Sequence, residues 1–115
     1  MKYLIAGSRT FNNYDLLKTI LNKYKKADVI IQGGAKGADL LGKRYALDNN
    51  IKCEEYKANW DKFGKSAGYR RNAEMVSLLN NDDIAFIFWD GASKGTKHTI
   101  DLCKKKNIKT IITKV

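Results

Sequence analysis

VIIQGGAKGAD, residues Val29 to Asp39, runs three β-branched residues into a double glycine, then Lys36, a third glycine and the start of an amphipathic pattern. It reads as a strand, a tight turn and a helix start. Glycine lets the backbone turn sharply and lets a ligand approach it closely. The first amides of a helix have no internal partners and point outward, so such a corner favours a phosphate.

The same alternation extends in both directions. Tyr3 to Ala6 is an apolar strand ending at Gly7, Ser8 and Arg9. Leu16, Leu17, Ile20, Leu21 and Tyr24 then trace one helix face, with Asn12 or Asn13 as its cap. After the glycine turn a helix is predicted to about Asn49, its buried face including Leu40, Leu41 and Tyr45, with Asn49 and Asn50 ending it. Ile51 to Tyr56 is a polar third strand. A loop through Trp60, Phe63 and Gly64 leads to a helix from about Ala67 to Leu79. Ile84 to Trp89 is the most apolar strand, followed by a second glycine-bearing turn, a helix to about Lys106 and a last strand, Ile108 to Thr113.

Five strands alternating with four helices imply an α/β fold with a parallel sheet covered on both faces. A central parallel strand should be continuously apolar, and the third strand carries Lys52, Glu54 and Glu55. That places it at an edge and favours the Rossmann-like order 3-2-1-4-5 over the flavodoxin-like order. The first and fourth strands then flank the switch point, where open α/β sheets bind ligands. The turns Gly7 to Arg9, Gly33 to Gly37 and Asp90 to Thr96 are expected to line one crevice.

With 115 residues and 43% hydrophobic content, residues 1–115 are expected to form one Rossmann-like domain. No apolar run approaches the ~20 residues needed to span a bilayer, and the N-terminus lacks a signal-peptide pattern, so a cytoplasmic protein is expected. Cys53 and Cys103 have no metal spacing and read as reduced structural thiols. The net charge of +10 invites a nucleic-acid reading, but Lys23, Lys25, Lys26 and Lys104 to Lys106 fall near helix C-termini, where cations complement the dipole.

Arg9 is placed for bidentate phosphate contact. Arg70 and Arg71 are expected in the first turn of the third helix, where positive side chains call for a compensating anion. Trp60 and Phe63 either stack on a base or cover the core's edge. Asp39 and Asp90 are candidates for ribose hydroxyls, although Asp39 also complements the dipole of its helix. Ser93 and Thr96 add hydroxyl donors to the second turn. His98 reads as a surface residue. The GxxxxGK match from Gly37 to Lys43 runs through a helix interior and is followed by Arg44, so it is not a phosphate loop.

Gly7-Ser8-Arg9 with Phe11, Gly33 to Asp39, Trp60 with Gly64 to Gly68, Arg71-Asn72 with Met75, and Asp90-Gly91 with Ser93 to Thr96 together resemble the small YspA/YpsA-related family of the SLOG superfamily. The resemblance spans nearly the whole chain. It implies a nucleotide-binding domain related to the LOG phosphoribohydrolases and to the DNA-processing protein DprA. With the turns and side chains read above, ligand contacts are expected at Gly7, Ser8, Arg9, Gly33, Gly34, Ala35, Gly37, Asp39, Trp60, Arg71, Asn72, Asp90, Gly91, Ser93, Gly95 and Thr96. The position matching the LOG catalytic glutamate is Thr99, which cannot supply a carboxylate. The expectation is therefore a homo-oligomeric receptor for a nucleotide-derived small molecule, of ADP-ribose or cyclic-nucleotide type, with no catalytic residue, cofactor or metal. A LOG-like N-glycosidic hydrolase and a DprA-like single-stranded DNA binder are the alternatives.

Overall fold

The computed structural model describes residues 1–115. Its five strands are β1 (Lys2–Gly7), β2 (Val29–Gln32), β3 (Lys52–Glu55), β4 (Ile84–Trp89) and β5 (Lys109–Lys114). All pair in parallel, in the order β3-β2-β1-β4-β5. The polar third strand is therefore at an edge, as its charges require, and β1 and β4 lie side by side.

Period-two alternation divides the buried residues between two cores. Tyr3, Ile5, Ile30, Phe86 and Phe88 face α1 (Tyr14–Leu21) and α2 (Ala38–Asp48). Leu4, Ala6, Ile31, Ala85 and Ile87 face α4 (Ala67–Ser77) and α5 (Lys94–Lys105). A strand packed on both sides must be apolar at every position, and β4 is. Phe11 stacks on Phe88 with ring centroids 4.7 Å apart, fixing the loop after β1 against β4.

Three local expectations differ from the structure. Helix α1 is capped by Asn13 and stops at Leu21, so Tyr24 lies beyond it, although its ring still packs edge-on against Phe86. Helix α2 turns Ala38, Gly42, Tyr45 and Ala46 inward, and Leu40 is 42% exposed. The reason is Gly42, where an added Cβ would lie 2.8 Å from Ile5 Cβ. The helix presses its small residues against β1, which rotates Leu40 outward. The segment expected to be a loop holds a short helix, α3 (Trp60–Phe63), capped by Asn59, then a 3-10 turn from Gly64 to Ser66.

Candidate functional site

The turns after β1, β2 and β4 meet at one edge of the sheet, around two arginines. Arg9 follows β1 and is exposed. Arg71, in the second turn of α4, reaches across to donate from Nη1 to the Gly33 carbonyl at 2.7 Å, while its Nε donates to Asn72 Oδ1 at 2.9 Å. Asn72 in turn donates to the Gly95 carbonyl, tying α4 to the start of α5. Arg71 is thus held from both sides. Burial lowers its pKa, Asp39 opposes that shift, and Arg9 adds to it.

Three adjoining cavities share these arginines. The largest, about 410 Å³, lies between the glycine turn Gly33 to Lys36 and the Lys57 to Trp60 segment. A second, about 220 Å³, lies between Trp60 and the start of α4. The smallest, about 90 Å³, sits at the β1–β4 switch point and reaches Gly7, Asp39, Ser93, Gly95, Thr96 and Thr99.

Asp39 is 5% exposed, and its Oδ2 accepts from the Ala35 amide at 3.2 Å. Desolvation raises its pKa to about 6, against the lowering pull of the Ala35 amide, Arg71, the Gly33 amide and Arg9. The carboxylate occupies part of the amide corner that the sequence assigns to a phosphate. Gln32, fully buried, takes another part: its Oε1 accepts from the Gly34 amide at 2.6 Å, and its Nε2 donates to Glu55 at 2.8 Å. Sequence reasoning assigned Gln32 no role. At the second turn Asp90 Oδ1 accepts from the Ala92 and Ser93 amides, and Ser93 Oγ accepts from the Thr96 amide. The amides left without a partner in these turns are those of Lys36, Gly37, Gly91, Lys94 and Gly95.

A model of the YspA, cpYpsA-related SLOG family matches residues 1–63. A protein of Mycobacterium phage D29, "Gene 61 protein", is 34% identical over 119 residues, covering 96% of this chain and 94% of its own length. The chain belongs to the YspA, cpYpsA-related SLOG family. No solved structure matches it.

The SLOG residues named from sequence separate into two groups. Gly7, Arg9, Gly33, Gly34, Ala35, Asp39, Trp60, Arg71, Asn72, Ser93, Gly95 and Thr96 line the three cavities. Four others do not. Ser8 is buried and its Oγ accepts from the Asp90 amide. Gly37, at φ +85°, lies against the Ser8–Arg9 backbone, where a Cβ would come 2.3 Å from the Ser8 carbonyl oxygen. Asp90 caps its own turn, bonds that hold its pKa below the usual carboxylate range, and lines a separate cavity beside Phe11 and Val115. Gly91 faces Lys114.

Arg70 also turns away, its guanidinium over the Phe63 ring and bonded to Ser66. Sequence reasoning missed Lys57, Ala58 and Tyr69 as cavity walls. A polar stretch after an edge strand gave no signal for the first two, whereas the helical spacing of Tyr69 from Asn72 placed it on the same helix side. Thr99 is 2% exposed, and its Oγ1 donates to the Gly95 carbonyl at 3.3 Å. It does line the switch-point cavity. No three His, Cys, Asp or Glu side chains gather where they could hold a metal ion, and no helix is long and apolar enough to cross a membrane.

Proposed function

We propose that this chain is a receptor for a nucleotide-derived small molecule of the ADP-ribose or cyclic-nucleotide type, binding it without cleaving it. One observation supports this reading above the others: Arg9 and Arg71 belong to all three adjoining cavities, and the Trp60 ring stands beside them. A phosphate between two guanidiniums makes charge-assisted bonds, and an indole offers a base its flat face. The 410 Å³ cavity falls in the roughly 300–1,000 Å³ range of small-molecule sites. Thr99 in the switch-point cavity offers a hydroxyl where cleavage calls for a carboxylate. With a phage relative, sequestration of a host signal is the cellular role this reading favours.

Asp39 supports a second reading. A buried carboxyl with a pKa raised to about 6, in the same cavity as Thr99, has the properties of a general acid in an N-glycosidic hydrolase. Incubation with a nucleotide panel, followed by chromatography, separates the two. Stoichiometric retention of intact ligand is the expected result; product accumulating beyond one equivalent makes the chain an enzyme. Self-association belongs to the proposal as well. Met75 and Leu79 are buried in the core, and the exposed Leu40 and Leu47 of α2 offer apolar surface for it, measurable by sedimentation.

A further inference from the structure

The shape of the crevice narrows the class of ligand, on the footing of the receptor reading above. Trp60 is 52% exposed and forms a wall of both larger cavities. Its ring rests beside Gly68, where an added Cβ would come within 3.3 Å of Cη2. A side chain there would crowd the indole, so the glycine leaves the ring its room. Lys36 and Lys57 line the 410 Å³ cavity with Trp60, and Lys65 and Tyr69 line the 220 Å³ cavity with it. Arg9 and Arg71 are common to both, and neither is lined by a carboxylate.

The smaller cavity falls below the roughly 300 Å³ at which pockets serve as independent small-molecule sites, so it extends the larger one. It brings its own aromatic. Tyr69 is 45% exposed and is held edge-on by the His98 ring, with centroids 4.7 Å apart. Exposed aromatics that flank cationic side chains are the elements from which stacking platforms for nucleobases are built. Two such platforms, in cavities that have Arg9 and Arg71 in common, match a ligand with two flat arms and a central anion.

We infer that the ligand is of the dinucleotide class: two nucleoside-like arms joined through phosphate, which lies between Arg9 and Arg71. One arm occupies the larger cavity against Trp60, and the other occupies the extension against Tyr69. A mononucleotide fills half the site. The extension contributes through linkage, because the second arm docks once the first is bound and its encounter is intramolecular.

Titration calorimetry on the full chain tests this with matched probes: AMP, a linear diadenosine phosphodiester, diadenosine diphosphate and cyclic di-AMP. At least one two-armed probe should bind about tenfold or more tightly than AMP, in line with the contribution of one stacked base. Tyr69→Ala should bring that preference close to parity, and Tyr69→Phe, which keeps the ring, should retain most of it. Circular dichroism of both variants establishes that they are folded. If AMP binds and every two-armed probe binds no better, or if the preference survives Tyr69→Ala, the two-arm inference fails and the receptor reading stands. If neither AMP nor any two-armed probe binds, both fail together.

Discussion

Arg9 and Arg71 share three cavities but stand in different surroundings, so their removal should read out differently. Arg9 is exposed and no protein group accepts a bond from its side chain. Arg9→Ala should leave stability within about 0.5 kcal/mol, the usual scale for surface substitutions. It should weaken a phosphate-bearing ligand by roughly tenfold or more, one charge-assisted hydrogen bond's worth. Arg71→Ala strips the Gly33 carbonyl and the buried Asp39 of their cation. It should lose stability as well, by about 1–3 kcal/mol. Urea denaturation beside calorimetry distinguishes the two. Unchanged ligand affinity in both variants removes the crevice assignment.

Asp39 gives a prediction in pH. Its folded pKa, about 6, exceeds the unfolded value of about 3.9, so folding favours the protonated form. That contribution is fully present below about pH 4 and is lost as pH rises through about 6. Its full size is on the order of 2–3 kcal/mol. Asn at this position keeps an oxygen for the Ala35 amide and cannot ionise. The stability difference, wild type minus Asp39→Asn, should therefore rise as pH falls from 8 to 4. A flat difference shows that the carboxyl pays no desolvation penalty.

At the scale of elements, the glycines of the two turns serve opposite purposes. Gly37 has φ +85°, and a Cβ there meets the Ser8 carbonyl oxygen at 2.3 Å. The backbone strain and the clash together should make Gly37→Ala lose about 3 kcal/mol or more. Gly95, at the start of α5, has nothing within 4 Å of an added Cβ. Gly95→Ala should be neutral or stabilising by up to about 1 kcal/mol, since alanine is the better helix former. The urea midpoints should move in opposite directions; a comparable loss in both would mean that Gly95 also serves a close approach. The need for a glycine could be read from the sequence, but its cause could not, because the neighbour at Gly37 is the backbone of a turn nearly 30 positions away. The sheet order was legible for a simpler reason: charges at Lys52, Glu54 and Glu55 are tolerable only on an edge strand. The inward face of α2 was not, because small residues at Ala38, Gly42 and Ala46 carry little hydrophobic signal yet allow the closest approach to β1. Helix α3 has four residues, too few for a periodicity to show. In the site, the arginines and glycine turns were legible. The occupation of their amides by Gln32 and Asp39 was not, because composition cannot say which partner a buried amide takes.

The whole molecule decides what its net charge of +10 is for. In a parallel sheet every helix returns to the edge opposite the crevice, so Lys23, Lys25 and Lys26 after α1 and Lys104 and Lys105 in the last turn of α5 lie at that far edge. Lys106 is already engaged there, its Nζ donating to the Val76 and Ser77 carbonyls at the end of α4. The molecule extends 36 × 29 × 25 Å, several times the Debye length of about 8 Å at physiological salt. Charges at the far edge are therefore screened from a ligand bound between Arg9 and Arg71, whereas a single strand wrapping the surface can contact both. Lys104→Glu with Lys105→Glu should change the affinity for a nucleotide ligand by less than about twofold at 0.15 M salt, given that screening. The same double variant should weaken a 20-nucleotide single strand and flatten its dependence on salt, because fewer counterions are released on binding. Fluorescence anisotropy with both probes, from 50 to 300 mM salt, measures this. If charge reversal leaves both affinities intact, the far-edge lysines serve only the fold and its solubility. If it lowers both in step, one surface serves both, and the chain is a nucleic-acid binder in which Arg9 and Arg71 are two phosphate contacts among many.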